Sequence, residues 1–189
     1  LDWPDLLVGS ILAWTSIQRW SGSHSAGLAL LETLVDRSDL SAADRCSLLE
    51  VYADILWSFG RRSEARQVVE RQLKLARQSG HPNLLGSALL QQVVFAHEAV
   101  TLEERLEPMR EALELHRGEG ARSREARVLM RMAVSYQDSN EQDKALQLAE
   151  EALAIGRELD SLLIEGQVLQ FRAIYYMNIG DMERCESNL

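Results

Sequence analysis

"DKALQLAEEALAIGREL" (residues 143–159) sets Ala145, Leu148, Ala149, Ala152, Leu153 and Ile155 at three- and four-residue steps, the spacing of one face of an α-helix. A helix that faces a core normally presents Leu or Ile there. A face built so heavily from alanine implies that another backbone passes at close range, because the methyl group keeps helix propensity while leaving the least bulk at a crossing.

The turns around this helix carry the next step. Asn140 precedes "EQDKAL", Gly60 precedes "RRSEAR" and Gly180 precedes "DMERCE", so positions 60, 140 and 180 fall on a 40-residue grid. The grid demands a turn at 100. Val100 is followed by "TLEERL", in which Thr101 and Glu104 have the spacing of a capping box. Other columns keep the same phase: Ala53, Val93, Ala133 and Ala173; Leu73, Leu113 and Leu153; Arg77, Arg117 and Arg157. The pattern predicts helix pairs over 46–59 and 61–79, 83–99 and 101–118, and 122–139 and 141–159, with another helix over 162–179. "SGH" (79–81) and "GEG" (118–120) are the breaks between pairs. "SAGLALLETL" (25–34) matches "EARQVVERQL" (64–73) at a one-residue offset, which adds a looser first unit. The units are thus about 4–40, 41–80, 81–120, 121–160 and a truncated 161–189, read as one repeat domain over 1–189. Such pairs bury their apolar faces by stacking, so the expected fold is an all-α helical solenoid.

Composition agrees and narrows the function. Only three prolines and few β-branched runs favour helix throughout, and 46% apolar with 26% charged residues is globular rather than disordered. The net charge of −9 speaks against direct nucleic-acid binding, whose affinity comes from neutralised phosphates. Two cysteines, Cys46 and Cys185, form no C-x-x-C pair and fit a reducing cytoplasm. There is no membrane-length apolar run and no signal-peptide pattern. The first residue is Leu rather than Met, which points to an excerpt of a longer protein or a processed product.

Taken together, the phase and the small residues resemble the tetratricopeptide repeat family in its roughly 40-residue variety, over nearly the whole chain. That family sets small residues where its paired helices cross, and Ala133, Ala145 and Ala152 fill three such places, Ala53 and Ala65 two, and Ala173 one. Tyr136 and Tyr176 match its aromatic place, whereas Leu56 and Ala96 depart from it. In the 81–120 unit Val93 and Arg105 replace the small residues. HEAT-like and other helical-hairpin arrays would show similar columns. The phrases "ALELHRGEG" and "ALAIGRELD" also look like the repeat regions of large bacterial MalT-like ATP-dependent transcriptional regulators. Neither a phosphate-binding loop nor a helix-turn-helix reader is identifiable in these residues. The resemblance implies a right-handed superhelical solenoid of helix-turn-helix units.

No catalytic constellation appears. His97-Glu98 would need a second histidine where Thr101 stands, Gly118 and Gly120 lack a third glycine and a preceding strand, and the four histidines are scattered. The chain reads as a non-enzyme without cofactor or metal. In the family, outward residues of the first helix of each pair line a concave groove. Transferred here, that groove is Glu50, Asp54, Trp57, Leu90, Val94, His97, Arg127, Met130, Arg131, Val134, Gln170, Ile174 and Met177. Glu50 and Asp54 stand where relatives that clamp a terminal carboxylate carry Lys and Asn, so the expected ligand is an amphipathic helix or internal peptide with a basic end. Trp57 has an alternative role packing between repeats, Met130 and Met177 one as inter-helix filler, and Arg127 and Arg131 one on a solvated face. Two functions stay open: a protein- or peptide-binding scaffold, with self-association through exposed solenoid ends, and the ligand-sensing arm of a larger signalling or transcription regulator.

Overall fold

A computed structural model describes residues 24–96 and 101–186. All regular structure among them is helical. The chain divides into two compact units, Leu1–Glu98 and Ala99–Leu189. The first contains α1 (His24–Leu34), α2 (Ala42–Ser58), α3 (Arg62–Ser79) and α4 (Pro82–Val94); the second contains α5 (Leu102–Gly118), α6 (Arg122–Asp138), α7 (Gln142–Glu158), α8 (Leu162–Asn178) and α9 (Met182–Glu186). From α2 onward the helix starts are evenly spaced along the chain.

Two devices place these boundaries. At the starts, the Ser41 and Ser161 side chains accept the backbone N–H groups of Asp44 (3.1 Å) and Ile164 (3.4 Å). Thr101 and Glu104 form a reciprocal capping box, the Glu104 carboxylate accepting the Thr101 N–H at 2.8 Å. At the ends, one residue turns left-handed: Gly60, Gly80, Gly120 and Gly180, joined by Asn140 and Asp160. After α2 the Arg61 N–H reaches back to the Leu56 carbonyl and Gly60 to Trp57; Glu141 and Asn140 do the same to Tyr136 and Gln137, and Asp181 and Gly180 to Tyr176 and Met177. This pair of bonds satisfies the last carbonyls of each helix. No atom lies within 4 Å of a Cβ built on Gly60, whose φ is +73°. The cost of Gly60→Ala is therefore purely conformational, and the variant is expected to lose about 1 kcal/mol in a urea titration.

Two boundaries differ from the sequence expectation. α2 begins at Ala42 rather than 46, because Ser41 and Asp44 already form a cap. α4 stops at Val94 rather than running to 99: the Phe95 and Ala96 N–H groups close on Gln91 and Val93, and the Phe95 ring, 3% exposed, turns into the core. The expected turn at 100 and the portion of the first unit before residue 24 lie outside the described residues.

The closest-packed helix pairs are α2 with α3 and α6 with α7. These pairs carry alanine at the crossing, and Ala53, Ala65, Ala133, Ala145, Ala149 and Ala152 are all 0% exposed. α2 also packs on α4 and α6 on α8, so first helices of successive pairs lie side by side within each unit. The division between units falls between α4 and α5, the pair in which Val93 and Arg105 stand in the alanine columns.

Buried polar groups tie the layers. The Gln72 amide donates to the Cys46 carbonyl at 3.3 Å and the Gln91 amide to the Glu50 carbonyl at 2.9 Å. Glu125, 3% exposed, is held by Arg117 Nε at 2.8 Å and Arg122 Nη1 at 2.5 Å, and Arg122 continues to Glu158 at 2.6 Å. Beside this network His116 is 0% exposed. Burial, reinforced by the nearby positive charges of Arg124 and Arg127, holds its imidazole down to about 4. The unfolded chain therefore binds a proton below pH 6.5 that the folded chain refuses, and stability falls as pH drops through the window from 6.5 toward 4. The expected loss between pH 7 and pH 5 is about 2 kcal/mol, measured by urea titration at each pH, and His116→Leu is expected to flatten it. Glu64, Glu104 and Glu158, all held below the usual carboxylate range by their hydrogen-bond partners, lose their contribution only at more acid pH.

Candidate functional site

The residues expected to line a groove fall into two groups, one in each unit. In the first unit Glu50 and Asp54 lie one turn apart on α2, both half-buried. Gln91 fixes the α2 backbone beside them through its bond to the Glu50 carbonyl. That glutamine was not among the expected site residues, and an amide inside the apolar run "ALLQQVV" is the signal that would have found it.

Trp57 is half-buried and packs against the core of the first unit. Its ring stacks on Phe95, with centroids 4.8 Å apart and planes 25° from parallel, and the Arg62 guanidinium lies over it at 5.2 Å. These contacts match the packing role between repeats, and the ring stays half-buried. Leu90 is a correction: it is 4% exposed and cannot line a groove. The physical reason is that α4 has no outward apolar-free side over this stretch, since Gly86 to Gln91 are buried in succession. Val94 is half-buried and packs against the same core. His97 lies outside the described residues.

In the second unit the candidates lie on α6 and α8, two helices that pack together. Arg127 and Arg131 on α6 are exposed, and Met130 and Val134 are half-buried between them. On the adjacent α8, Gln170 is exposed, as are Ile174 (43%) and Met177 (53%), following one helix face at four- and three-residue steps. α8 thus offers apolar area to solvent, and α6 carries exposed guanidinium groups. Arg122, at the start of α6, is engaged with Glu125 and Glu158.

The aromatic places serve the pairing of helices. Lys144 of α7 lies over the Tyr136 ring at 5.3 Å, and Arg184 of α9 over Tyr176 at 5.7 Å, so each of these two tyrosines receives a cation from the second helix of its pair. Among the described residues no cluster of His, Cys, Asp or Glu is arranged to hold a metal ion, and no helix is long and apolar enough to cross a membrane. The Cys46 thiol is buried, and burial pushes it up to about 11, which keeps it protonated and unreactive.

Helix pairs closed by left-handed turns, with alanine at their crossings, define a tetratricopeptide-like repeat fold. Several solved structures resemble the chain. BtubC (BKLC) from P. vanneervenii superposes with a TM-score of 0.76 at 18% identity, over 98% of this chain and 78% of its own. A Signal Transduction ATPase with Numerous Domains from Pyrococcus horikoshii, which carries a tetratricopeptide repeat sensor, gives 0.73 at 15% identity over 94% of this chain, which spans 28% of that one. Nearly identical TPR-like repeats of a Podosopora anserina kinesin light chain give 0.66 at 16% identity, over 100% of this chain and 93% of theirs. No family model and no curated protein matches the sequence.

Proposed function

We propose that the chain is a non-enzymatic scaffold that binds a protein or peptide on the outward face of its first helices. The observation that carries this reading is on the packed helices α6 and α8: α8 exposes Ile174 and Met177, and α6 carries half-buried Met130 and Val134 with exposed Arg127 and Arg131. Apolar area of this kind, with like charges on the packed neighbour, suits an amphipathic segment whose apolar side chains cover the methionines and whose acidic groups meet the arginines. In the first unit Glu50 and Asp54 supply a separate acidic place, suited by itself to a basic group of a partner. The likeness to BtubC over 98% of the chain supports reading 1–189 as one repeat domain.

Panning a random peptide library against the chain tests the proposal. Enriched peptides should carry apolar residues at helical spacing together with Asp or Glu. Their affinity should fall about tenfold or more for Ile174→Glu with Met177→Glu, which is the loss of one anchor's worth of binding energy. Enrichment unchanged by that pair of substitutions, with helicity retained, would move the site elsewhere.

A second reading makes the same surface the sensing arm of a larger MalT-like cytoplasmic signalling or transcription regulator. The likeness to the Pyrococcus horikoshii protein with its repeat sensor supports it. The α6–α8 face then takes an effector, and ligand binding is read by domains outside these residues.

A further inference from the structure

The first unit holds a recess of about 390 Å³, lined by Leu28, Ala29 and Glu32 of α1 and by Phe59 and Arg61 of the turn after α2. That volume lies at the lower end of the range for clefts that hold small ligands. The three α1 residues stand on one helix face, at one- and three-residue steps. Leu28 is 8% exposed and belongs to the apolar cluster of α1–α3, while Phe59 is 48% exposed. Neither Glu50 nor Asp54 lines the recess.

The charges at this place do not balance. Arg61 gives Nε and Nη2 to Glu64, at 2.7 and 2.5 Å, and feels Glu32 only through space, so its charge is already matched. Glu32 has no such counterpart: among the described residues no cation pairs with it. Instead the Tyr52 hydroxyl donates to its Oε1 at 2.9 Å. Tyr52 is 7% exposed on α2, and burial, with that hydrogen bond, pushes its phenol up to about 12, so it stays a donor at neutral pH. The bond fixes the carboxylate at the recess without neutralising it.

We propose that this recess binds a small amphiphilic amine, its ammonium group on Glu32 and its apolar body against Leu28, Ala29 and Phe59. Glu32, Arg61 and Glu64 together leave a negative charge, which an ammonium ion cancels. An anionic ligand has no partner here, because Glu64 holds the arginine that lines the recess. A neutral apolar ligand would cover Glu32 and leave its charge without water or a counterion, which is costly.

Titrating the intact chain, ¹³C-labelled at its alanine methyls, with 2-phenylethylammonium tests this. The Ala29 methyl resonance should shift and saturate with a dissociation constant on the order of 1 mM, as suits a probe of that size. 3-Phenylpropionate, a carboxylate on the same apolar body, should leave the resonance in place. Glu32→Gln keeps an acceptor for Tyr52 and removes the charge, and should weaken binding of the ammonium probe about fivefold, the upper end for an ion pair at an exposed carboxylate. Ala29→Leu fills the recess at little cost in helix propensity and should abolish binding, read by saturation transfer from protein to probe. Glu50→Gln, outside the recess, should change nothing. Circular dichroism checks that each variant is folded, and Ala29→Leu decides alone if Glu32→Gln is not. Four results would each overturn the proposal: no shift of Ala29 up to ~10 mM, ten times the expected constant; an equal response to the carboxylate probe; undiminished binding by a folded Glu32→Gln or Ala29→Leu variant; or binding lost in Glu50→Gln.

Discussion

Trp57→Ala should lower the unfolding free energy by about 3 kcal/mol, the low end of the range for removing a large aromatic from a core, since the ring is only partly buried. The loss comes from three contacts at once. The stack on Phe95 goes, the cation over the indole face goes, and Phe95, which is 3% exposed, is left facing a void. Phe95 sits just past the end of α4 while Trp57 lies in α2, so their contact also fixes where α4 stops. Trp57→Phe keeps a stacked ring and should recover more than half of the loss. Urea titration followed by circular dichroism measures both variants. A loss below about 0.5 kcal/mol for Trp57→Ala would assign the indole to solvent and return it to the list of binding anchors.

Ala145→Leu should cost up to ~3 kcal/mol, the upper end of overpacking penalties. Ala145, Ala149 and Ala152 form a stripe on α7 at four- and three-residue steps, all 0% exposed, and α6 and α7 are among the closest-packed helices of the chain. Three extra carbons at Ala145 have no space to enter without pushing the backbones apart. Leucine has almost the same helix propensity as alanine, so a measured loss reports packing alone. An Ala145→Ser control adds one small atom and should cost less. Ala133→Leu, on the facing helix of that pair, should behave likewise, and the double variant should lose less than the sum, since one separation of the helices accommodates both side chains. A neutral Ala145→Leu would mean that α7 meets α6 along another face.

Much of the fold was legible because the same physical demand recurs at each crossing. Close helices require alanine, and left-handed helix ends require Gly or Asn, so Ala133, Ala145, Gly60, Asn140 and Gly180 mark the architecture in plain view. Asp160 is the exception, a left-handed residue that is neither Gly nor Asn and gave no turn signal of its own. The start of α2 is legible, since Ser41 and Asp44 spell a cap. The misplaced end of α4 was not readable: "VVFA" continues the apolar run, and only the packing of Phe95 against Trp57 shows that the helix has ended.

The candidate site was less legible for a related reason. Helical periodicity tells which residues share a face but not whether another helix covers it. On α4, buried on all sides from Gly86 to Gln91, the transferred position of Leu90 became core. On α8 the same transfer reached exposed Gln170, Ile174 and Met177. Glu125 illustrates the converse, a charge that Arg117 and Arg122 hold inside.

The five methionines make the central proposal directly measurable. Met130 and Met177 lie on the proposed face, Met109 (0% exposed) and Met132 (6%) are internal, and Met182 (55%) is exposed on α9. With ¹³C-methyl-labelled methionine, titration of a panned peptide should shift the Met130 and Met177 resonances together, saturating at one concentration, while Met109 and Met182 stay in place. Shifts at Met182 with Met130 and Met177 unmoved would contradict the account and remove the α6–α8 face as the binding surface.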